Sequence, residues 1–207
     1  MTHTRRLTLT ATAVVLAATL TACSGDADAP TAEPDQATAS ETSDADSEGS
    51  VHNDADTEFA QMMIVHHEGA IEMAELAAQR ATTPEVTALA ERIAGAQGPE
   101  IELMTSWLET WDEQLPSEAE MGSMDHGPME MDGMDQEAVM EQLTSLSGTE
   151  FDRRFLELMT DHHRGAIEMS EEFRAAGQNA AAIQLAGAII DAQTVEITEM
   201  ENLRQGL

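Results

Sequence analysis

Residues 62–73 read MMIVHHEGAIEM, and residues 158–169 read LMTDHHRGAIEM, 96 residues further on. Extended backwards, 59–73 and 155–169 agree at nine of fifteen positions: Phe, Met, both His, Gly, Ala, Ile, Glu and the closing Met. The same offset aligns Gln97, Glu100, Ile101 and Met104 with Gln193, Glu196, Ile197 and Met200. The repeat therefore covers two successive segments. Each copy is too small to bury its own apolar face and needs the other to cover it.

Both segments are helical by their spacing. Phe59, Met62, Met63, His66, Ala70, Met73 and Ala77 recur at three-four intervals, which predicts a helix over about 56–80 capped by Asp54 or Asp56. Thr83 then reads as an N-cap, with Pro84 in the first helical position and Glu85 favourable to the helix dipole. This second helix runs towards Trp111 with Leu89, Ile93, Gln97, Met104 and Leu108 inward. A kink is expected at Gly98-Pro99, because Pro99 cannot donate to the carbonyl of Gly95. A third helix is predicted over 149–176 and a fourth over 180–204, joined by the turn Gly177-Gln178-Asn179. Residues 135–146 suit a short extra helix, in which Met140 packs. Strand signals are nearly absent, and there is no tyrosine. The fold class is all-α: a four-helix bundle made of two duplicated hairpins, 57–112 and 149–205, with a long connection over 113–148.

The N-terminus has a different character. Arg5 and Arg6 precede the apolar run LTLTATAVVLAATL, which is short for a bilayer span and reads as a signal peptide over 1–23. Its end, Leu20-Thr21-Ala22-Cys23, resembles the lipobox of bacterial lipoproteins. That resemblance implies lipidation of Cys23, cleavage before it, and anchoring to the outer face of the cell membrane. Cys23 is the single cysteine, so such a mature chain has no thiol for disulfides or thiolate metal sites. Residues 24–56 hold almost nothing to bury and read as a disordered acidic tether. As a flexible coil it spans roughly 30 Å on average. The bundle then occupies 57–207.

Charge narrows the partners. Without Arg5 and Arg6, seven arginines face 40 acidic residues, a formal charge of −33, and no lysine occurs. Nucleic acid is excluded by repulsion of its phosphates, and so is a polybasic membrane contact, leaving the lipid as the membrane link. A field of this sign concentrates cations. It also keeps a protein soluble, and composition alone does not separate the two.

The histidines carry the chemistry. His66 and Met73 are seven residues apart and nearly superimpose in helical projection, so both lie near the centre of the apolar stripe. His67 falls at the rim beside Met63. The second copy repeats this with His162 and Met169 central and His163 beside Met159. The bland alternative is that these are core histidines hydrogen-bonded across the hairpin, His66 to Glu100 or Gln97 and His162 to Glu196 or Gln193, with methionine as gap-filler. Against it, the pairs occur twice and the flanking methionines recur at matching offsets while other core positions drift. Gln97, Glu100, Gln193 and Glu196 are then candidates to support the imidazoles from behind. Glu72 and Glu168 also repeat but project away from the stripe and suit surface or helix-end contacts.

The di-iron pattern of ferritin-like bundles wants Glu-x-x-His, and no histidine here has glutamate three positions earlier. His67-Glu68 begins a zinc-protease motif that fails at Ile71. Imidazole with thioether suits Cu(I), with Cu(II) accessible at the imidazoles and silver following by softness. The connection adds to this: MGSMDHGPMEMDGM at 121–134 carries Met121, Met124, His126, Met129, Met131 and Met134 among glycines and acids, with no apolar periodicity for a core. It reads as loose soft-metal capture.

The pattern H-H-x-x-A-I-x-M followed by Q-x-x-E-I-x-x-M resembles the bacterial domain of unknown function number 305, over roughly 57–205. The resemblance implies an extracytoplasmic, α-helical, ferritin-like protein, and some members of that family are associated with copper binding and tolerance. On it, His66, His67, Met73, His162, His163 and Met169 match the signature positions. Leu158 departs where the first copy has Met62, so the two sites need not be equivalent. The expectation is a copper-binding protein rather than an enzyme. It would buffer the metal or hand it on, with copper as sole cofactor and a copper-exchange protein or a second copy as candidate partner. Two rivals stay open: a ferritin-like oxidase using the histidines with Glu100 and Glu196, and an interaction module with structural histidines.

Overall fold

In the computed structural model, residues 51–116 and 134–207 are described. The leader with Cys23, the tether up to residue 50, and the connection over 117–133 with Met121, Met124, His126, Met129 and Met131 lie outside the described residues. Every regular element among the described residues is a helix: α1 (Asp54–Arg80), α2 (Pro84–Trp111), α3 (Gln136–Ser145), α4 (Gly148–Ala176) and α5 (Ala180–Gly206). Helices α1 and α2 form one hairpin and α4 and α5 the other. The hairpins meet chiefly through α1 and α4, with a slighter contact between α2 and α5. The chain is an all-α bundle of two duplicated hairpins.

The ends of the helices follow local chemistry, with some differences from expectation. Helix α1 is capped by Asn53, whose side chain accepts from the Asp56 N–H while Asp56 accepts from the Asn53 N–H, a reciprocal capping box. Asp54 and Asp56 are therefore not the caps. The described residues ahead of α1 also make contacts: His52 stacks on Trp111 at 4.6 Å, and the Val51 carbonyl accepts from Asn179 Nδ2. Helix α2 starts at Pro84 as the sequence predicts, but Thr83 gives its hydroxyl elsewhere. The helix continues unbroken through Pro99. The turn at Gly177 needs glycine for space and not for a left-handed backbone, since its φ is −68°. A Cβ there runs into the Phe173 ring.

Two reciprocal carboxylates tie the hairpins together. Asp152, in the second turn of α4, accepts from the N–H and hydroxyl groups of both Thr82 and Thr83 at 2.6–3.3 Å. Asp56, in the first turn of α1, accepts from the N–H groups of Gln178 and Asn179 at 3.0–3.2 Å. Both carboxylates are fully buried. Burial alone raises a carboxyl pKa, but the hydrogen bonds from Thr83 and Thr82 prevail and hold Asp152 below the ordinary value of 3.8.

The core lies in two apolar clusters. One gathers Met73, Leu89, Ile93, Phe155, Met159 and Met200. The other gathers Phe59, Met63, Met104, Met169, Phe173 and Ile189. On α1 the order along the helix is Phe59 and Met63, then the histidines, then Ala70 and Met73; on α4 it is Phe155 and Met159, the histidines, then Ala166 and Met169. Since the start of α4 meets the end of the α1–α2 hairpin, the two helices run antiparallel, and the histidines form a polar layer between the clusters.

Candidate metal centre

At the middle of that layer His66 meets His162, with ring centroids 3.6 Å apart and planes 46° from parallel. Both are almost fully buried, at 2% and 3% exposure. Position 66 is central on α1 and position 162 is its repeat equivalent on α4, so the antiparallel packing of the two stripes brings identical residues face to face. Burial first, and then the neighbouring imidazoles His67 and His163, push His66 well below the ordinary value of 6.5. His162 is lowered likewise by burial, and then by His66, His163 and His67. The central pair is therefore neutral at physiological pH and keeps its lone pairs.

His67 and His163 are fully buried rather than at the rim. The edge of the α1–α4 stripe is the interface of α1 with α2, and of α4 with α5, so a side chain there is covered by the hairpin's second helix. His67 Nε2 lies 2.7 Å from Glu100 Oε2, and His163 Nε2 lies 2.7 Å from Glu196 Oε2. The cross-hairpin bond thus falls to the second histidine of each pair and not to His66 or His162. A carboxylate only accepts, so each Nε2 carries the proton and a neutral ring keeps its Nδ1 lone pair free. The Nδ1 atoms of all four histidines are buried without a partner, as are His66 Nε2, Gln97 Oε1 and Gln193 Oε1. Buried polar groups are ordinarily satisfied, so this concentration of orphans is unusual for a structural core. A carboxylate holding one imidazole nitrogen while the other stays free is how ligating histidines are oriented.

The methionines divide by cluster. Met63 and Met169 lie in one apolar cluster and Met73 and Met159 in the other, all at most 7% exposed. Each side of the imidazole layer therefore has one buried thioether from α1 and one from α4. Met104 and Met200, a further repeat pair, add one from each second helix. Among the described residues no three or more His, Cys, Asp or Glu side chains converge as a ready cation cage. A complete ligand set in this layer has to draw on thioether sulfur, which with neutral imidazole suits a soft ion. The residues present fit copper on that ground. Met134 and Met140 pack, partly buried, against the cluster that holds Val139 and Leu143. Glu72 accepts from Gln136 Nε2 at 2.9 Å, a contact to the start of α3.

Sequence reasoning missed the Asp56–Asp152 clasp, although both acids stand at the 96-residue offset. It also missed that Met62 lines an open groove with Met169.

The model of the family described as Domain of unknown function (DUF305) matches residues 56–204. The chain belongs to this family. Among solved structures it is similar to a DUF305 fragment from Deinococcus radiodurans, at 29% identity and a TM-score of 0.65, covering 75% of this chain and 98% of that one. A DUF305 protein from Streptomyces coelicolor, a presumed secreted protein, is 34% identical with a TM-score of 0.63, covering 72% and 89%. CopM in its Cu(II)-bound form is 34% identical with a TM-score of 0.62, covering 73% and 96%. CopM structures in Cu(I)-bound and silver-bound forms match as well, with TM-scores of 0.60 and 0.59. No curated protein matches the chain.

Proposed function

We propose that this protein binds copper outside the cytoplasm, as Cu(I) with Cu(II) and silver also accepted, and buffers it or hands it on. The observation that carries this reading is the set of four buried imidazoles with unpartnered Nδ1 atoms, two of them backed by Glu100 and Glu196. CopM, similar over nearly three quarters of the chain, takes Cu(I), Cu(II) and silver, which supports the metal assignment. The ligands proposed are His66, His67, His162 and His163 with Met63, Met73, Met159 and Met169. The methionines of 121–131 and His126 serve as a separate, exchangeable capture segment. The presumed secreted relative and the leader-like N-terminus support an extracytoplasmic location, with Cys23 as the lipid anchor.

The test is titration of the whole mature chain with Cu(I) under a competing chelator, followed by mass spectrometry. Tight uptake should fall in His66→Ala and His162→Ala; uptake equal to the parent's overturns the helical site. Deleting 121–133 removes only the weaker, exchangeable share. The oxidase alternative shares this geometry, since it too expects Glu100 and Glu196 to point at the histidines. Oxygen consumption by the copper-loaded protein is the measurement that would favour it.

A further inference from the structure

The repeat is symmetric in its histidines and asymmetric in its cover. Between α1 and α4 lie two grooves related by the 96-residue offset, one on each side of the imidazole layer. On one side α3 fills the groove: Val139 and Leu143 are fully buried there, in one cluster with Met73 and Phe155. Arg80 donates to the carbonyls of Thr144 and Leu146, and Arg154 donates to Gln142 Oε1. On the other side nothing among the described residues takes the place of α3. Among the described residues that groove is open, with a volume of about 330 Å³ lined by Phe59, Phe173, Met62 and Met169 and by Glu58 and Glu172.

The residues that differ between the two grooves follow this asymmetry. Where the sealed groove has Leu158, fully buried, the open one has Met62, only partly buried. Where the sealed groove has Arg154 and Arg80 to hold α3, the open one has Glu58 and Ala176. Met62 stands four residues before His66, one helical turn away on the same face, and Met169 stands seven after His162, two turns away on its own face. The open groove therefore offers thioethers leading from solvent towards the central pair, under a negative rim.

We propose that this groove is the port through which a soft monovalent cation enters and leaves the imidazole layer. Met62 and Met169 capture the ion, and Glu58 and Glu172 draw it from solution. The proposal rests on the copper reading and deepens it: α3 shuts one face, so exchange runs through the other. Transfer needs no redox step, since the ion passes from thioether to imidazole with its charge unchanged.

Silver(I), which undergoes no redox chemistry here, is the probe. The full mature chain is mixed with Ag(I) in a stopped-flow instrument and followed by tryptophan fluorescence, and the phase that His66→Ala abolishes is assigned to the core. Met62→Leu installs the residue the second copy already carries at 158 and should fold normally by circular dichroism. It is expected to slow that phase about tenfold, and release to a chelator alike, because one soft ligand is lost from the path. Equilibrium uptake should stay as in the parent. Leu158→Met on the sealed side should leave the rate unchanged. A parental rate in Met62→Leu, with uptake still dependent on His66, overturns the port and leaves the copper site standing. Uptake independent of His66 and His162 overturns both.

Discussion

Asp56 and Asp152 occupy equivalent places in the two repeats, and each hydrogen-bonds the turn of the other repeat's hairpin. Asp152 receives Thr82 and Thr83, and Asp56 receives Gln178 and Asn179. These turns hold the N-caps of α2 and α5, so each carboxylate also lies at the positive end of a helix it does not belong to. The clasp fixes the relative position of the two hairpins, and with it the meeting of His66 and His162.

Asp152→Asn keeps the shape and removes the charge. It is expected to lower the unfolding free energy by about 2 kcal/mol, the scale of losing charge-assisted bonds at a buried site. Asp56→Asn should act similarly. The clasps lie at opposite ends of α1, tens of ångströms apart at about 1.5 Å per residue, so the double variant should show the sum. Urea denaturation decides this; a double variant no worse than either single one would mean that the clasps are not independent.

Acidification should loosen the fold in two stages. His66 and His162 have depressed pKa values in the folded protein, so unfolding takes up protons once the pH drops below 6.5. Their contribution is complete above that value and declines as the pH falls. Asp152 is also depressed, so its contribution persists down to about its ordinary value of 3.8 and is lost only below it. The melting temperature of the metal-free protein should therefore fall from pH 7 to pH 5 and again below pH 4. A flat profile between pH 7 and 5 would contradict the neutral, buried state of the central pair.

Glu100→Gln and Glu196→Gln leave an amide facing His67 or His163. Loss of a carboxylate behind a ligating imidazole lowers metal affinity about 10- to 100-fold. Competition titration with Cu(I) should show that decrease with little change in helix content. Unchanged affinity would mean that His67 and His163 serve the core alone.

Leu143→Ala empties a fully buried position under α3 and is expected to cost about 2–5 kcal/mol. Gly177→Ala brings a Cβ against Phe173, whose ring stacks on Phe59 at 4.1 Å, and should cost about 1–3 kcal/mol by overpacking. Thermal unfolding separates both from Val195→Ala, an exposed position on α5 that should be close to neutral.

Much of the architecture was legible in the offset between 59–73 and 155–169, because a repeat that includes both helices of a hairpin dictates its own pairing. The central place of His66 and His162 followed from their seven-residue relation to Met73 and Met169. The burial of His67 and His163 did not follow. A projection of one helix shows the stripe it presents but not which further helix covers the flank. Asp56 and Asp152 were hidden for a related reason: an acid near a helix start already has a local explanation in capping or the helix dipole, and only the neighbouring turn reveals its long-range use. The seat of α3 was hard to read because Gln136–Ser145 has no counterpart in the repeat, and the differences that mark its groove, Arg80 for Ala176 and Arg154 for Glu58, gain that meaning only once the helix is seen bound to them.

The contact of His66 with His162 joins the same position of two copies of one pattern. All the information for that contact is therefore present in a single helix pair. Two separate chains of half this length, related by a twofold axis, could close it with no residue changed at the junction. Fusion into one polypeptide frees the halves to diverge, and the unequal sides of this bundle show where that freedom has been used.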